Sequence, residues 1–412
     1  MQDNSRYAVG IDIGTSKVRC IVGHVDETTG APTIVGVGEV SNTGMRKGSV
    51  VNLNGPAQAV DEALGEAERM SGYEVNAATI SVNGSHILST STDGMIAVGS
   101  ADHVVNHDDV TRLEEVATVG KVPANREILE VVPHSYRLDG QDNIKDPVGM
   151  TGTRLEINAN VVSAMAPNMA ALQSMLDLAK VTPNIITPSV VASAKAVLSE
   201  QQLENGVAVI DMGGATTSIA VFEEGDLQYA SVIPVGGSNI TNDLAIGLKT
   251  DPEVAEQVKL THGSALKQNG SDKVSVKLDK ETFDFDREEV DEIIEARLEE
   301  LYESITKELK KIGRHAKLPS GVVLTGGGAK LKGIVDYSKE SLNLAVRIGT
   351  PKGFGGVAEH LDEPQFAAAI GLMLIDASAG GQHHEKKPGA KAKAATGNAS
   401  GFIKRLFGKL KT

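Results

Sequence analysis

Tryptophan is absent, cysteine occurs once, and aromatic residues make up only 3% of the 412-residue chain. So few rings argue against stacking platforms for single-stranded nucleic acid. A lone cysteine excludes a disulfide scaffold, and Cys20, inside a predicted strand, reads as a small buried hydrophobe. No Gly-x-x-x-x-Gly-Lys-[Ser/Thr] occurs, so this is not a P-loop protein. No uncharged apolar run reaches the length of a transmembrane helix. The opening residues, Met1 to Arg6, lack the basic-then-apolar pattern of a secretion signal. A cytoplasmic protein is expected. With 41% hydrophobic residues the chain is globular, and it is long enough for two or more domains.

Positive charge is also scarce, except at one end. Net charge is −14, yet the residues from Glu385 onward carry eight Lys/Arg against one Glu. An acidic body with a basic tail excludes general DNA binding and suggests that the tail has its own partner.

What is present is a repeated turn. Val9-Gly10-Ile11-Asp12-Ile13-Gly14-Thr15-Ser16-Lys17-Val18 is an apolar strand that ends on an aspartate, turns on glycine and hydroxyls, and resumes as strand. Val209-Ile210-Asp211-Met212-Gly213-Gly214-Ala215-Thr216-Thr217-Ser218-Ile219 repeats the design. Such turns present backbone N–H groups and hydroxyls to phosphate oxygens. Asp12 and Asp211 are placed to hold Mg²⁺, through its waters. A third glycine run, Gly326-Gly327-Gly328, follows a short strand at Val322 to Leu324 and either lets backbone approach a flat ligand or simply leads a helix. Together they predict one nucleotide between two similar half-domains.

The surrounding pattern supports a duplication. Strands at Val9 to Ile13, Val18 to Gly23 and Ile34 to Val40 precede a helix at Asn54 to Ser71, with Asn54 as its cap and Pro56 in its first turn. A strand follows at Ala78 to Val82. From Gly84 to about Ala164 lies an insertion, with short strands at Ile87-Leu88, Met95 to Ala97 and Ile128 to Val132 and a helix near Asp108 to Val119. Helices at Asn168 to Lys180 and Ser189 to Ser199 flank a strand at Pro183 to Pro188. The strand–turn–strand order restarts at Val207, with a further strand near Ala230 to Val235. Gly236-Gly237 then leads a helix from Ser238, offering free N–H groups to a nucleotide or forming a plain helix start. Asp251 to Lys310 reads as mostly helical and highly charged, and Gln365 to Leu374 as a last helix.

In this order the chain resembles the actin-like ATPase superfamily. The first phosphate loop matches Asp12 to Lys17, the linking helix Pro188 to Ala194, the second phosphate loop Asp211 to Thr217, the adenosine loop Thr325 to Ala329, and the second linking helix Ala368 to Leu372. Ala192, Ala369 and Gly371 would let the linking helices cross closely. Gly44-Met45-Arg46-Lys47-Gly48, Ser81-Val82-Asn83-Gly84-Ser85-His86-Ile87, Ile240 to Leu248 and Ala255-Glu256-Gln257-Val258-Lys259 narrow the resemblance to the FtsA family of bacterial division proteins. The insertion falls where that family carries its 1C subdomain, which counts against the rod-shape protein MreB. The implied fold is α/β, an actin-like fold of two duplicated domains around a nucleotide cleft, with an inserted 1C subdomain and a C-terminal amphipathic helix. Its expected parts are IA at 1–83 and 165–195, 1C at 84–164, IIA at 196–248 and 313–364, and IIB at 249–312. A helix at 365–378 returns to IA, followed by a flexible linker at 379–399 and a membrane-targeting helix at 400–412.

The resemblance implies ATP and Mg²⁺ as cofactors, held by Asp12, Gly14, Thr15, Ser16, Lys17, Asp211, Gly213, Gly214, Thr216, Thr217, Gly236, Gly237 and Gly326 to Gly328. Glu256 and Lys259 would lie near the ribose and adenine. It also implies a homopolymer that anchors FtsZ filaments through the FtsZ C-terminal peptide and recruits later division proteins. The expected place is the cytoplasmic face of the inner membrane at the division site. Arg297 is the candidate grip for the FtsZ peptide, or else an ion-pair partner of neighbouring glutamates. On a helical wheel, Phe402, Ile403, Leu406, Phe407 and Leu410 fall on one side, and Lys404, Arg405, Lys409 and Lys411 on the other. A helix of that kind lies on anionic membrane lipid, unless it docks on the protein body. No residue that orients an attacking water is identifiable, so at most a weak ATPase is expected. The rival is a small-molecule kinase of the same superfamily.

Overall fold

Two five-stranded sheets share one strand order. The first begins as an antiparallel meander of β1 (Arg6–Ile13), β2 (Lys17–Val25) and β3 (Pro32–Ser41). A small hairpin, β4 (Met45–Arg46) and β5 (Ser49–Val50), leads to α1 (Asn54–Ser71) and to β6 (Ala77–Val82), which pairs parallel to β1. The computed structural model describes residues 6–26, 28–268, 273–279, 281–356 and 360–380. The predicted membrane helix and nearly all of the predicted linker lie outside the described residues.

α1 forms because Val60, Ala63, Leu64 and Ala67 recur at helical spacing and bury one stripe against the first sheet. Its cap differs from expectation. The side chain of Asn52, not Asn54, accepts from the N–H groups of Asn54 (2.9 Å) and Gly55 (3.4 Å). The helix already includes Asn54.

The chain then leaves the sheet for the insertion: β7 (Leu88–Ala97), α2 (His107–Thr118), β8 (Arg126–Leu138), β9 (Gln141–Ile144) and β10 (Arg154–Met165), in the order β7-β10-β8-β9. The sequence expectation of short strands fails here. β7 runs through Ser89-Thr90-Ser91-Thr92, and only Thr92 of these is buried. A mostly exposed, hydroxyl-rich strand lacks the apolar alternation that marks strands in sequence. The insertion has its own core of Val105, Leu113, Tyr136, Leu155 and Val161.

α3 (Ala166–Leu178) returns the chain to β11 (Thr182–Pro188), which lies parallel to β6 and completes the order β11-β6-β1-β2-β3. α4 (Ser189–Val197) and α5 (Glu200–Asn205) cross to the second half. There β12 (Val207–Met212), β13 (Thr217–Glu223) and β14 (Asp226–Ile233) form a second antiparallel meander. α6 (Gly237–Gly247), α7 (Pro252–His262), a hairpin of β15 (Lys273–Leu278) and β16 (Glu281–Asp286), and the long α8 (Arg287–Lys311) follow. That hairpin, in a stretch read as mostly helical, is a correction. Its alternation Val274, Val276 against charged neighbours is short and easily lost among helical charge. β17 (Val322–Thr325), α9 (Ile334–Leu342) and β18 (Val346–Ile348) close the order β14-β13-β12-β17-β18. In each sheet three antiparallel strands are followed by two parallel ones, so the duplication inferred from the turns is real in topology.

α10 (Ala367–Ala379) goes back to the first sheet and packs across α4. At the crossing a Cβ on Gly371 would overlap the Ala192 carbonyl. Only glycine permits that approach. Further along α10, buried Asp376 accepts from Val9 N–H (2.9 Å), Thr79 Oγ1 (2.8 Å) and Asn184 Nδ2 (3.0 Å), tying the helix to three strands.

Candidate functional site: the cleft between the two turns

β1 and β12 are central strands whose runs Val9, Ile11 and Val207 to Ile210 are covered on both faces, which is why they read as continuous apolar segments. Each ends in the same turn. Gly14 N–H donates to Lys17 O at 3.0 Å and Gly213 N–H to Thr216 O at 2.8 Å. Asn42 braces the first turn, its Nδ2 donating to Gly14 O (2.7 Å) and its N–H to Ser16 O (2.8 Å). The turns face each other closely, for a Cβ on Gly214 would overlap the Ser16 hydroxyl.

Asp12 and Asp211 sit just inside these turns, sunk deep yet still touched by solvent. Burial pushes the Asp12 carboxyl above its usual value, against the pull of Arg19 and a hydrogen bond from Ser81. Asp211 is pushed up to about 6, first by burial and also by the Asp12 charge, although Ser193 Oγ on α4 donates to it at 2.6 Å. Two neighbouring carboxylates that burial disfavours as anions suit a dication. Among the described residues no group of three or more His, Cys, Asp or Glu could cage a metal. The donor set therefore fits Mg²⁺ that keeps most of its waters and takes the rest of its shell from phosphate.

The other predicted residues divide. Thr216 Oγ1 accepts from Asn83 Nδ2 at 3.1 Å, at the mouth of the cleft. Gly326, at φ 79°, turns the third glycine run directly under Asp211. Gly327 borders open space, while Gly328 packs on Met212. Glu256 and Lys259 on α7 reach the start of α6. Lys259 Nζ donates to Gly237 O (3.2 Å), Thr241 Oγ1 (2.8 Å) and Glu256 Oε2 (2.6 Å), and Thr241 also bonds Glu256.

The N–H groups of the α6 start are not free, contrary to the sequence expectation. Gly237 N–H donates to Gly213 O (2.9 Å), Ser238 N–H to Gly214 O (2.6 Å), and Gly236 N–H to Asn239 Oδ1 (3.0 Å). These donors clamp the second turn onto α6 instead. Two more side chains are engaged outside the cleft. Thr217 Oγ1 donates to Val235 O at 2.9 Å, and Lys17 pairs with Glu39. Arg297 forms a two-point pair with Asp243 on α6 (2.5 and 3.0 Å) and also bonds Glu300 three residues on. Its ion-pair alternative is the arrangement present. Phe402 to Lys411 lie outside the described residues.

Sequence reasoning missed Asn42, Ser81, Asn83 and Ser193 as site residues. Asn83 was legible only as part of a family motif, and Ser193 follows the aspartate it serves only in space.

The comparisons with known proteins agree with one another. The model of the family "Cell division protein FtsA" matches residues 208–371, and that of the "SHS2 domain inserted in FTSA" matches 84–163, the insertion described above. Cell division protein FtsA of Bacillus subtilis (strain 168) is 36% identical over 377 residues, covering 90% of this chain and 84% of the relative. That of Escherichia coli (strain K12) is 31% identical over 415 residues, covering 97% and 96%. Among solved structures, the PilM-PilN type IV pilus biogenesis complex matches with a TM-score of 0.66 at 18% identity, over 90% of this chain and 98% of that one. MreB5 of Spiroplasma citri bound to ADP matches with a TM-score of 0.53 at 14% identity, over 90% and 95%. These structural likenesses carry the actin-like fold alone.

Proposed function

Since the chain belongs to the FtsA family of cell division proteins, we propose that it binds ATP with Mg²⁺ between its two halves and serves as a membrane-attached, polymerising scaffold. The observation that carries the nucleotide assignment is the pair of identical turns, each behind a buried aspartate, facing one another across the cleft. The β- and γ-phosphates would lie between the turns, Mg²⁺ on the waters near Asp12 and Asp211, and the ribose and base against Glu256, Lys259 and Gly326 to Gly328. Mg²⁺ supplies charge neutralisation to the phosphates, while Ser81 and Ser193 orient the carboxylates. Solved proteins of this fold bind ADP and, in a second MreB5 structure, AMPPNP, which supports the choice of ligand. On this reading ATP acts mainly as an assembly ligand that favours one cleft geometry, with at most weak hydrolysis.

Attachment to anionic lipid on the cytoplasmic face of the inner membrane rests on the sequence of 400–412, where the apolar and basic residues segregate at helical spacing. Among the described residues no helix is long and apolar enough to cross a membrane. One such segment binds weakly and many on one filament bind tightly, so polymerisation and attachment reinforce each other. FtsZ filaments would be held through their C-terminal peptide on the α8 surface around Arg297, and later division proteins recruited to the assembly. The test is co-sedimentation with anionic vesicles, with and without ATP, for the full chain and a form lacking residues 400–412. The full chain should pellet more with ATP and the shortened form should not pellet. Equal pelleting of both refutes the membrane role.

A further inference from the structure

The insertion is rooted in one half of the molecule and fastened to the other. Its root is covalent: it leaves β6 at Asn83-Gly84 and returns through Met165 into α3, both in the first half. Its far side meets β14, the edge strand of the second sheet. There Lys145 Nζ bonds Glu224 Oε2 (3.0 Å) and Asp226 Oδ2 (3.1 Å), and it also donates to His134 O (3.0 Å) within the insertion. His134 Nε2 and Asn160 Nδ2 both lie against Leu227 O, at 3.1 and 3.3 Å. Asn160, Asp226 and Leu227 are all buried, so the bonds to Leu227 O and the Asp226 end of the Lys145 pair are shielded from water, while Lys145 and Glu224 meet at the surface.

The same hairpin is gripped at its other end. Asn83, at the root of the insertion, donates to Thr216 Oγ1 (3.1 Å) and accepts from Ser218 Oγ (3.1 Å) at the start of β13. β13 and β14 are paired along their length. One hairpin of the second half is thus tied to the first half beside the cleft through Asn83, and remotely through the insertion. Because the insertion has its own core, it moves as a body rather than bending.

We propose that the insertion is a strut pinned across the two halves by Lys145, His134 and Asn160, so that opening of the cleft and reorientation of the insertion are one coupled movement. Separating the halves must either break the pins or swing the insertion with the β13–β14 hairpin. The coupling to ligand rests on the nucleotide assignment above; the pin itself does not. Whatever partner meets the outer face of the insertion would thereby sense the state of the cleft, and by reciprocity would alter nucleotide affinity.

The experiment uses the full chain with spin labels at Val119→Cys, on the insertion, and Ile246→Cys, on α6. These sites are 75% and 77% exposed, and Cys20, at 0%, stays unlabelled. Pulsed dipolar spectroscopy without nucleotide should give one narrow distance for the parent and a broader, longer distribution for Lys145→Glu. The conservative Lys145→Arg, which keeps a cation beside Glu224 and Asp226, should retain the narrow one. An unchanged distribution in Lys145→Glu overturns the strut. With a fluorescent ATP analogue, Lys145→Glu should bind nucleotide about tenfold more weakly, as expected when one charge-assisted contact is lost. A widened distance with an unchanged affinity overturns the coupling. Failure of the parent to bind the analogue at all overturns the nucleotide assignment while leaving the distance result to judge the pin.

Discussion

Replacing Gly371 with alanine sets two effects of opposite sign against each other. In a helix interior with open space around it, the change stabilises by about 1 kcal/mol, because alanine loses less backbone freedom on folding. At Gly371 the new Cβ would overlap the Ala192 carbonyl, with Ala192 Cα at 3.1 Å, and Ala192 is wholly buried in α4. The obstacle is backbone, which cannot rotate aside, so α4 and α10 must part. Overpacking against fixed backbone lies at the upper end of about 1–3 kcal/mol, so a net destabilisation of about 2 kcal/mol remains after the propensity gain of about 1 kcal/mol. Gly65→Ala on α1 is the built-in reference. The nearest atom to its new Cβ is Arg69 Nη1 at 3.6 Å, the end of a flexible side chain. That variant should gain about 1 kcal/mol. Guanidinium unfolding should therefore displace the two midpoints in opposite directions. α4 also carries Ser193, which holds Asp211, so Gly371→Ala should weaken ATP binding as well while Gly65→Ala leaves it alone. A Gly371→Ala midpoint that is unchanged or rises alongside Gly65→Ala would refute the close crossing.

Three further outcomes are open to measurement. Asp211 is raised to about 6 in the folded protein, from the ordinary aspartate value of 3.8, so the native state holds the extra proton between those values. Its contribution to stability is then complete below about pH 4 and lost as pH rises through 6, by at most about 3 kcal/mol and less where solvent reaches the group. Asp211→Asn should remove that loss and raise the unfolding midpoint of nucleotide-free protein at pH 7, while abolishing the Mg²⁺ dependence of ATP binding; a pH profile identical to the parent's contradicts this. Lys259→Met deletes two hydrogen bonds to the start of α6 and one to Glu256 and should lower ATP affinity about tenfold by calorimetry. Arg297→Ala breaks its pair with Asp243 and should cost about 1 kcal/mol of stability. If that arginine also grips the FtsZ peptide, the peptide affinity falls in Arg297→Ala but survives in Asp243→Asn.

The crossing of α4 and α10 was foreshadowed in sequence by small residues, Ala192, Ala369 and Gly371, yet small residues occur wherever helices pack. Only the crossing of α4 and α10 distinguishes Gly371, where a methyl does not fit, from Gly65, where it does. Asp12 and Asp211 were legible because a strand-end aspartate before a glycine turn is a local pattern, repeated 199 residues apart. Their raised titration was not, since it comes from burial and, for Asp211, also from the Asp12 charge. The free donors expected at Gly236 and Gly237 illustrate the same limit. The helix start was read correctly, but the Gly237 and Ser238 N–H groups are taken by carbonyls of Gly213 and Gly214, more than twenty residues earlier in the chain, and that of Gly236 by the Asn239 side chain. The middle of β7 escaped notice because an exposed, hydroxyl-rich strand is held by ladder bonds to β10 rather than by apolar alternation, and the β15–β16 hairpin because its alternation is short and flanked by charged helices.

By itself the sequence determined the duplicated halves, the two phosphate-type turns, the place of the insertion and the segregated basic tail. Each of these is written in neighbouring residues, through periodicity, turn chemistry or charge. The tertiary structure alone decided which donors remain available, how Asn83 bridges the cleft, and that the insertion is pinned by Lys145 to the opposite half. Those contacts join residues far apart in the chain, and no local pattern encodes where a distant carbonyl or carboxylate will come to lie.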